Sequence, residues 1–85
     1  MSKVIEARWV KTASKVLVGR KIVAARYMSS KEAEDMGWYS RPVVFELDDG
    51  TLLYPSQDDE GNNGGALFIH GGASGEDCLP VLRVD

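Results

Sequence analysis

The segment RPVVFELDDGTLLYP, residues 41–55, constrains the fold of this chain more than any other stretch. Val43, Phe45 and Leu47 alternate with Val44, Glu46 and Asp48 as far as Asp49 and Gly50, and a second apolar run, Leu52, Leu53 and Tyr54, follows at once. Apolar residues at a period of two mark a half-buried strand, because successive side chains leave a strand on opposite faces. Asp-Gly between two such runs predicts a β-hairpin closed by a two-residue type I′ turn, whose positive φ angles match the twist of the strands. That turn sets Leu47 opposite Leu52, Glu46 opposite Leu53 and Phe45 opposite Tyr54. Val43, Phe45, Leu47, Leu52 and Tyr54 then share one face and are expected at the centre of the core. Val44 and Leu53 fall on the other, half-apolar face, which is left to a helix or a partner. Pro42 lacks a ladder donor and belongs at the start or edge of its strand.

Elsewhere the pattern changes. In residues 4–17, Ile5, Trp9, Ala13, Val16 and Leu17 recur at three- and four-residue spacing while Arg8, Lys11 and Lys15 gather on another face, which predicts an amphipathic helix. Gly19 stands where a left-handed cap would end it, and Lys15 suits the last turn. A strand presenting Ile5, Ala7 and Trp9 is the competing reading, but the pattern is too long for one strand. Residues 21–28, KIVAARYM, read as a strand. Ser29 with Glu32 forms a capping box for a short helix over 30–36, ended by Gly37. After a polar loop at 57–65, the runs 66–70 and 79–84 are two further short strands, joined by a glycine-rich connection at 71–77. Trp9, Trp38 and Tyr39 are read as scattered outside the core, and Phe45, Tyr54 and Phe68 as inside it. The expectation is an α+β, mainly β fold: a small curled antiparallel sheet or an SH3-like, partly open barrel of about five strands, with an N-terminal helix and a short helix after the first strand.

A chain of 85 residues is one domain, here an N-terminal helix over 1–19 and a β-rich body over 20–85. It buries roughly 60–65% of its unfolded surface, enough for a thin core and too little for a deep enclosed pocket besides. Hydrophobic residues at 44% and charged residues at 27% are those of an ordinary globular domain, and no apolar run is long enough for a bilayer. The opening MSKVIEARWVK puts charges where a secretory signal needs an apolar core. With Cys78 as the one cysteine, and so no intrachain disulfide, the cytoplasm is the expected compartment. Cys78 reads as a small buried strand residue with no basic neighbour to activate it.

The net charge of −3 conceals a division. Up to Arg26, seven bases face Glu6 alone, which gives +6, whereas the remainder sets three bases against twelve carboxylates, which gives −9. A basic head on an acidic body can meet a polyanion or let two copies of the chain attract each other.

A set of short motifs, Gly37-Trp38, Ser40-Arg41-Pro42, Asp49-Gly50, Pro55-Ser56 and Asp58-Asp59-Glu60-Gly61-Asn62, is spread over residues 17–68. In these the chain resembles a family of small bacterial and phage-associated proteins of unassigned function. The resemblance supports the extent of the fold and brings no reaction or ligand with it.

Three surfaces could carry function. Asp58, Glu60 and Asn62 offer the hard oxygen ligands that calcium or magnesium takes, although Gly61 comes too early and no distal glutamate follows at EF-hand spacing. The loop reads first as a solvated acidic turn, and a latch in which Asp58 or Asp59 accepts hydrogen bonds from loop amides or from Arg41 stands level with any binding role. His70 has no second histidine or cysteine at metal spacing, and acid–base chemistry with Asp77 or Glu76 lacks a nucleophile motif, so it reads as a surface residue at a strand end and no catalytic residue is assigned. The basic face of Arg8, Lys11 and Lys15, with Arg20, Lys21 and Arg26 beyond it, is the one place for nucleic acid, opposed by the acidic body. The expected function is that of a noncatalytic interaction module without a cofactor. It binds a protein partner or another copy of itself through Arg8, Trp9, Lys11, Lys15, Val44 and Leu53; nucleic-acid binding through the basic head is the alternative, and cation binding by the acidic loop the third reading.

Overall fold

The structure, a computed structural model, describes residues 3–72 and 75–85. The order is α1 (Lys3–Leu17), β1 (Ile22–Tyr27), α2 (Ser30–Asp35), β2 (Ser40–Arg41), β3 (Val43–Leu47), β4 (Leu52–Leu53), β5 (Leu67–His70), β6 (Glu76–Leu79) and β7 (Leu82–Arg83). The strands form three small antiparallel sheets, β1-β3-β4, β2-β7 and β5-β6. The result is an α+β fold, mainly β, and among the described residues no sheet closes into a barrel. Residues 73 and 74 of the glycine-rich connection lie outside the described part.

Both helices end as their sequences direct. Gly19, at φ 82°, takes the left-handed conformation after α1, with Val18 N–H bonded to Ser14 O. Around α2 the capping box is complete: Glu32 N–H donates to Ser29 Oγ at 3.1 Å and Ser29 N–H to Glu32 Oε1 at 2.8 Å. At its far end Gly37 N–H donates to Glu34 O and Trp38 N–H to Ala33 O at 2.8 Å, the paired bonds of a Schellman motif. This turn drives the Trp38 indole under the helix. Trp38 is 4% exposed and belongs to the core cluster with Met28, Ala33 and Val44, against which Val84 packs.

The hairpin departs from its expected register by one residue. Gly50 N–H donates to Leu47 O at 3.0 Å and Leu47 N–H to Thr51 O at 2.9 Å, so the loop has three residues, Asp48, Asp49 and Gly50. Gly50 alone is left-handed, at φ 88°, the arrangement of a type I turn closed by a glycine bulge. Asp49 Oδ1 favours it by accepting from Thr51 N–H at 3.1 Å. Phe45 therefore pairs with Leu53 and Glu46 with Leu52. A slip of one residue exchanges the faces of the return strand. Val44, Glu46 and Leu52 now share a side, with Tyr54 reaching Trp38 edge-on at 5.7 Å, while Val43, Phe45, Leu47 and Leu53 share the other.

This corrects the expected core. Val43 and Leu47 are buried and Phe45 half-buried, but Leu52 and Tyr54 are exposed, and Val44, expected on a partner-facing surface, is a fully buried core residue at 1% exposure. Phe68, expected inside, is 81% exposed on the β5-β6 ribbon, and Cys78, expected buried, is exposed on the same ribbon. A two-stranded ribbon has no second layer to cover its faces. The C-terminal strand closes the Trp38 side: β7 pairs with β2, Tyr27 Oη donates to Pro80 O at 2.7 Å, and Arg41 Nε donates to Arg83 O at 2.7 Å.

Candidate functional site

The acidic loop is built as a latch. Asp58 Oδ1 accepts from the N–H groups of Glu60 and Asn62 at 3.0 and 3.2 Å, and its Oδ2 accepts from Asn62 Nδ2 at 2.9 Å. These donors, the Asn62 side chain first, hold the Asp58 carboxyl below its ordinary pKa. The loop is anchored by Trp38 Nε1, which donates to Gly61 O at 2.7 Å, and by the buried Asn63, whose carboxamide bonds Ser40. Gly64 and Gly65 let the returning backbone pass Pro42 and Ser56 at distances that leave no room for a Cβ. Arg41 does not meet the acidic residues as the sequence suggested; its guanidinium serves the carbonyls of Arg83 and Met28. Of the proposed cation ligands, Asp58 and Asn62 are thus bonded to each other, and no group of three or more His, Cys, Asp or Glu able to hold a metal occurs among the described residues.

The basic head divides into two parts. Arg20 meets Asp48 and Asp49 at 3.9 and 3.5 Å, and Arg26 forms a two-pronged pair with Glu32 at 2.9 and 3.1 Å and lies 3.5 Å from Glu46. The Arg26 guanidinium, followed by the N-terminal hydrogen bonds of α2, lowers the Glu32 pKa from 4.5 to about 2. Arg20 and Arg26 therefore stitch the chain together. Arg8, Lys11 and Lys15 lie along one side of α1, adjoining the side that carries Trp9, Ala13 and Val16.

No residue of α1 is buried. Trp9 is 58% exposed, Val10 and Val16 are exposed beside it, and Arg8 lies over the Trp9 ring at 5.8 Å. A helix of 15 residues with an apolar side in water is an unusual element in a chain whose core is this thin. Leu53, the remaining expected contact, is exposed at the hairpin edge, on the side away from Val44.

Two concavities lie on the surface of the described residues. A groove of about 270 Å³ between α2 and the hairpin is lined by Met28, Met36, Val44, Leu52 and Tyr54, with Glu32 and Asp35 at its margin. An open trough of about 410 Å³ follows the β5-β6 ribbon past Phe68, Ile69, His70, Asp77 and Cys78. His70 ends β5 and is exposed, as its position suggested, while the side chain of Glu76 lies outside the described part. The first concavity escapes sequence reading because the two-residue turn puts Leu52 and Tyr54 on the wrong face; the second Asp before Gly50 was the available signal for a longer loop. Comparison with known proteins gives no match to a family model, to a curated protein or to a solved structure. No helix among the described residues is long and apolar enough to cross a membrane.

Proposed function

We propose that this chain is a noncatalytic β-rich interaction module, comparable in role to small SH3-like domains, and that it acts by docking α1 onto a protein. The observation that carries this reading is the apolar side of α1, with Trp9 at its middle and no residue buried, on a body that is otherwise held together by its own hydrogen bonds and ion pairs. An exposed aromatic flanked by aliphatic residues and rimmed by bases is the composition of a docking surface. The nucleic-acid reading loses Arg20 and Arg26 to intramolecular pairs and Trp38 to the core, which leaves Lys3, Arg8, Lys11 and Lys15 on α1 and Lys21 beyond it, with Trp9 as the aromatic residue among them.

A photoreactive benzophenone residue placed at Trp9 and irradiated in the cells that make the protein tests the reading. A covalent adduct to a protein, including to the chain itself, is the expected result. Adducts to nucleic acid alone, or none to any protein, would overturn it.

A further inference from the structure

The groove between α2 and the hairpin has the chemistry that the apolar side of α1 lacks a seat for. Its floor is Met28 and Val44, and its lips are Met36, Leu52 and Tyr54, all three exposed, Leu52 at 46%. At about 270 Å³ it lies below the usual size of small-molecule pockets, roughly 300–1,000 Å³, and it is partly open to solvent. Such a groove accepts a ridge of side chains better than a compact ligand. Helix-in-groove recognition uses anchors at positions i, i+4 and i+7, and Trp9, Ala13 and Val16 have that spacing.

Charge selects the same pairing. Glu32 is paired with Arg26, and α2 presents the exposed Asp35 at the margin of the groove, on a body that beyond Arg26 carries twelve carboxylates against three bases. Asp35 meets the exposed Lys31 at 3.5 Å, a pair of little strength in water. Opposite charges stand on α1, where Arg8, Lys11 and Lys15 flank the apolar ridge. Methionine at the floor and lip adapts to an irregular ridge without a fixed rotamer.

The chain's own helix is held off this seat. Gly19 takes its left-handed turn at the end of α1, Arg20 binds Asp48 and Asp49 at the hairpin loop, and Asp48 N–H donates to Lys21 O at 2.9 Å. The junction is pinned to the turn end of the hairpin, and in that position no α1 residue is buried.

Resting on the reading of α1 as a docking helix, we propose that its partner is a second copy of this chain, each copy laying the Trp9 side of α1 along the other's groove between α2 and the hairpin. The arrangement is isologous: one helix–groove contact is repeated by symmetry, which doubles the apolar area removed from water.

Sedimentation equilibrium over a concentration series, together with carbodiimide coupling of an equimolar mixture of isotope-labelled and unlabelled chain, tests it. The expected result is a dimer that weakens with salt, and coupled peptides joining Lys11 or Lys15 to Asp35 that carry mixed isotopes. Trp9→Glu and Leu52→Lys, one on each side of the contact, each weaken the dimer at least tenfold with the circular dichroism spectrum retained; both positions are exposed, so either variant can stand if the other misfolds. A monomer at every concentration, coupling within single chains only, or a dimer indifferent to both substitutions would overturn the proposal. A monomer whose Trp9 photoprobe still captures a different protein removes the second copy and leaves α1 as a docking helix, whereas the absence of any protein adduct removes both.

Discussion

Asn63 holds the backbone of Ser40 across the loop: Ser40 N–H donates to Asn63 Oδ1 at 3.0 Å, and Asn63 Nδ2 donates to Ser40 Oγ at 3.3 Å. Asn63 is the one buried polar residue among those described, and it joins the acidic loop to the strand that leads into the hairpin. Asn63→Ala leaves the Ser40 amide without its acceptor in a half-buried site, a loss of about 1–2 kcal/mol. Urea denaturation should show that decrease with an unchanged slope, and an effect below the error of the fit would mean that the loop is not part of the cooperative unit.

Gly64 and Gly50 separate two demands on glycine. A Cβ at Gly64 would stand 2.7 Å from Pro42 Cδ and 2.8 Å from Ser40 O, whereas one at Gly50 meets nothing within 4 Å but sits on a residue at φ 88°. Gly64→Ala forces backbone apart and should cost about 2–3 kcal/mol. Gly50→Ala pays only for the left-handed conformation, about 1–2 kcal/mol. Thermal melts of the two variants should therefore rank Gly64→Ala as the less stable.

Glu32 gives the fold an acid dependence of known sign. Its carboxyl is lowered from 4.5 to about 2 by Arg26 and the N-terminal bonds of α2, so the folded state favours the charged form. The stabilisation is complete above pH 4.5 and disappears as pH falls through 2. Both side chains are more than a third exposed, which reduces the full linkage to about 1 kcal/mol. The difference in stability between the wild type and Glu32→Gln should be of that size at pH 7 and shrink toward zero in acid. A difference independent of pH would assign the effect to packing instead.

Local signals carried well from sequence to structure where one short segment contained the whole cause. The capping box of Ser29 and Glu32, the stops at Gly19 and Gly37, the strand at 22–27 and the hairpin itself are of this kind. The register failed because Asp48-Asp49-Gly50 supports both a two-residue and a three-residue loop, and the choice is settled by the bond between Leu47 and Thr51 and by the tie from Asp48 to Lys21. Trp38 went to the core, and not to the surface, through a seat for its indole N–H at Gly61, 23 positions away, which no local pattern announces. Of the candidate sites, the face of Arg8, Trp9, Lys11 and Lys15 was legible as a helical period, whereas the groove depended on the register and was not.

Asp58 organises the loop by accepting three hydrogen bonds, and Asp58→Ala should release it without unfolding the body. Amide exchange at Glu60 and Asn62 is expected to accelerate at least tenfold while that at Val44 and Phe45 stays unchanged. Equal acceleration at both places would make the latch a determinant of global stability.

Val44 and Leu53 were paired as neighbours on one face by the two-residue turn, and the observed register puts them on opposite sides with opposite burdens. Val44 is 1% exposed against Met28, Ala33 and Trp38, so Val44→Ala removes two buried methyl groups and leaves a cavity that α2 cannot fill, a loss of about 2–3 kcal/mol. Leu53, exposed at the edge of its sheet, should cost about 1 kcal/mol when changed to Ala, and Trp9→Ala less than about 0.5 kcal/mol in the monomer. Guanidinium melts of the three variants at low protein concentration should return that order. Similar losses for Val44→Ala and Leu53→Ala would contradict the three-residue loop, because only the alternative register gives the two residues the same face.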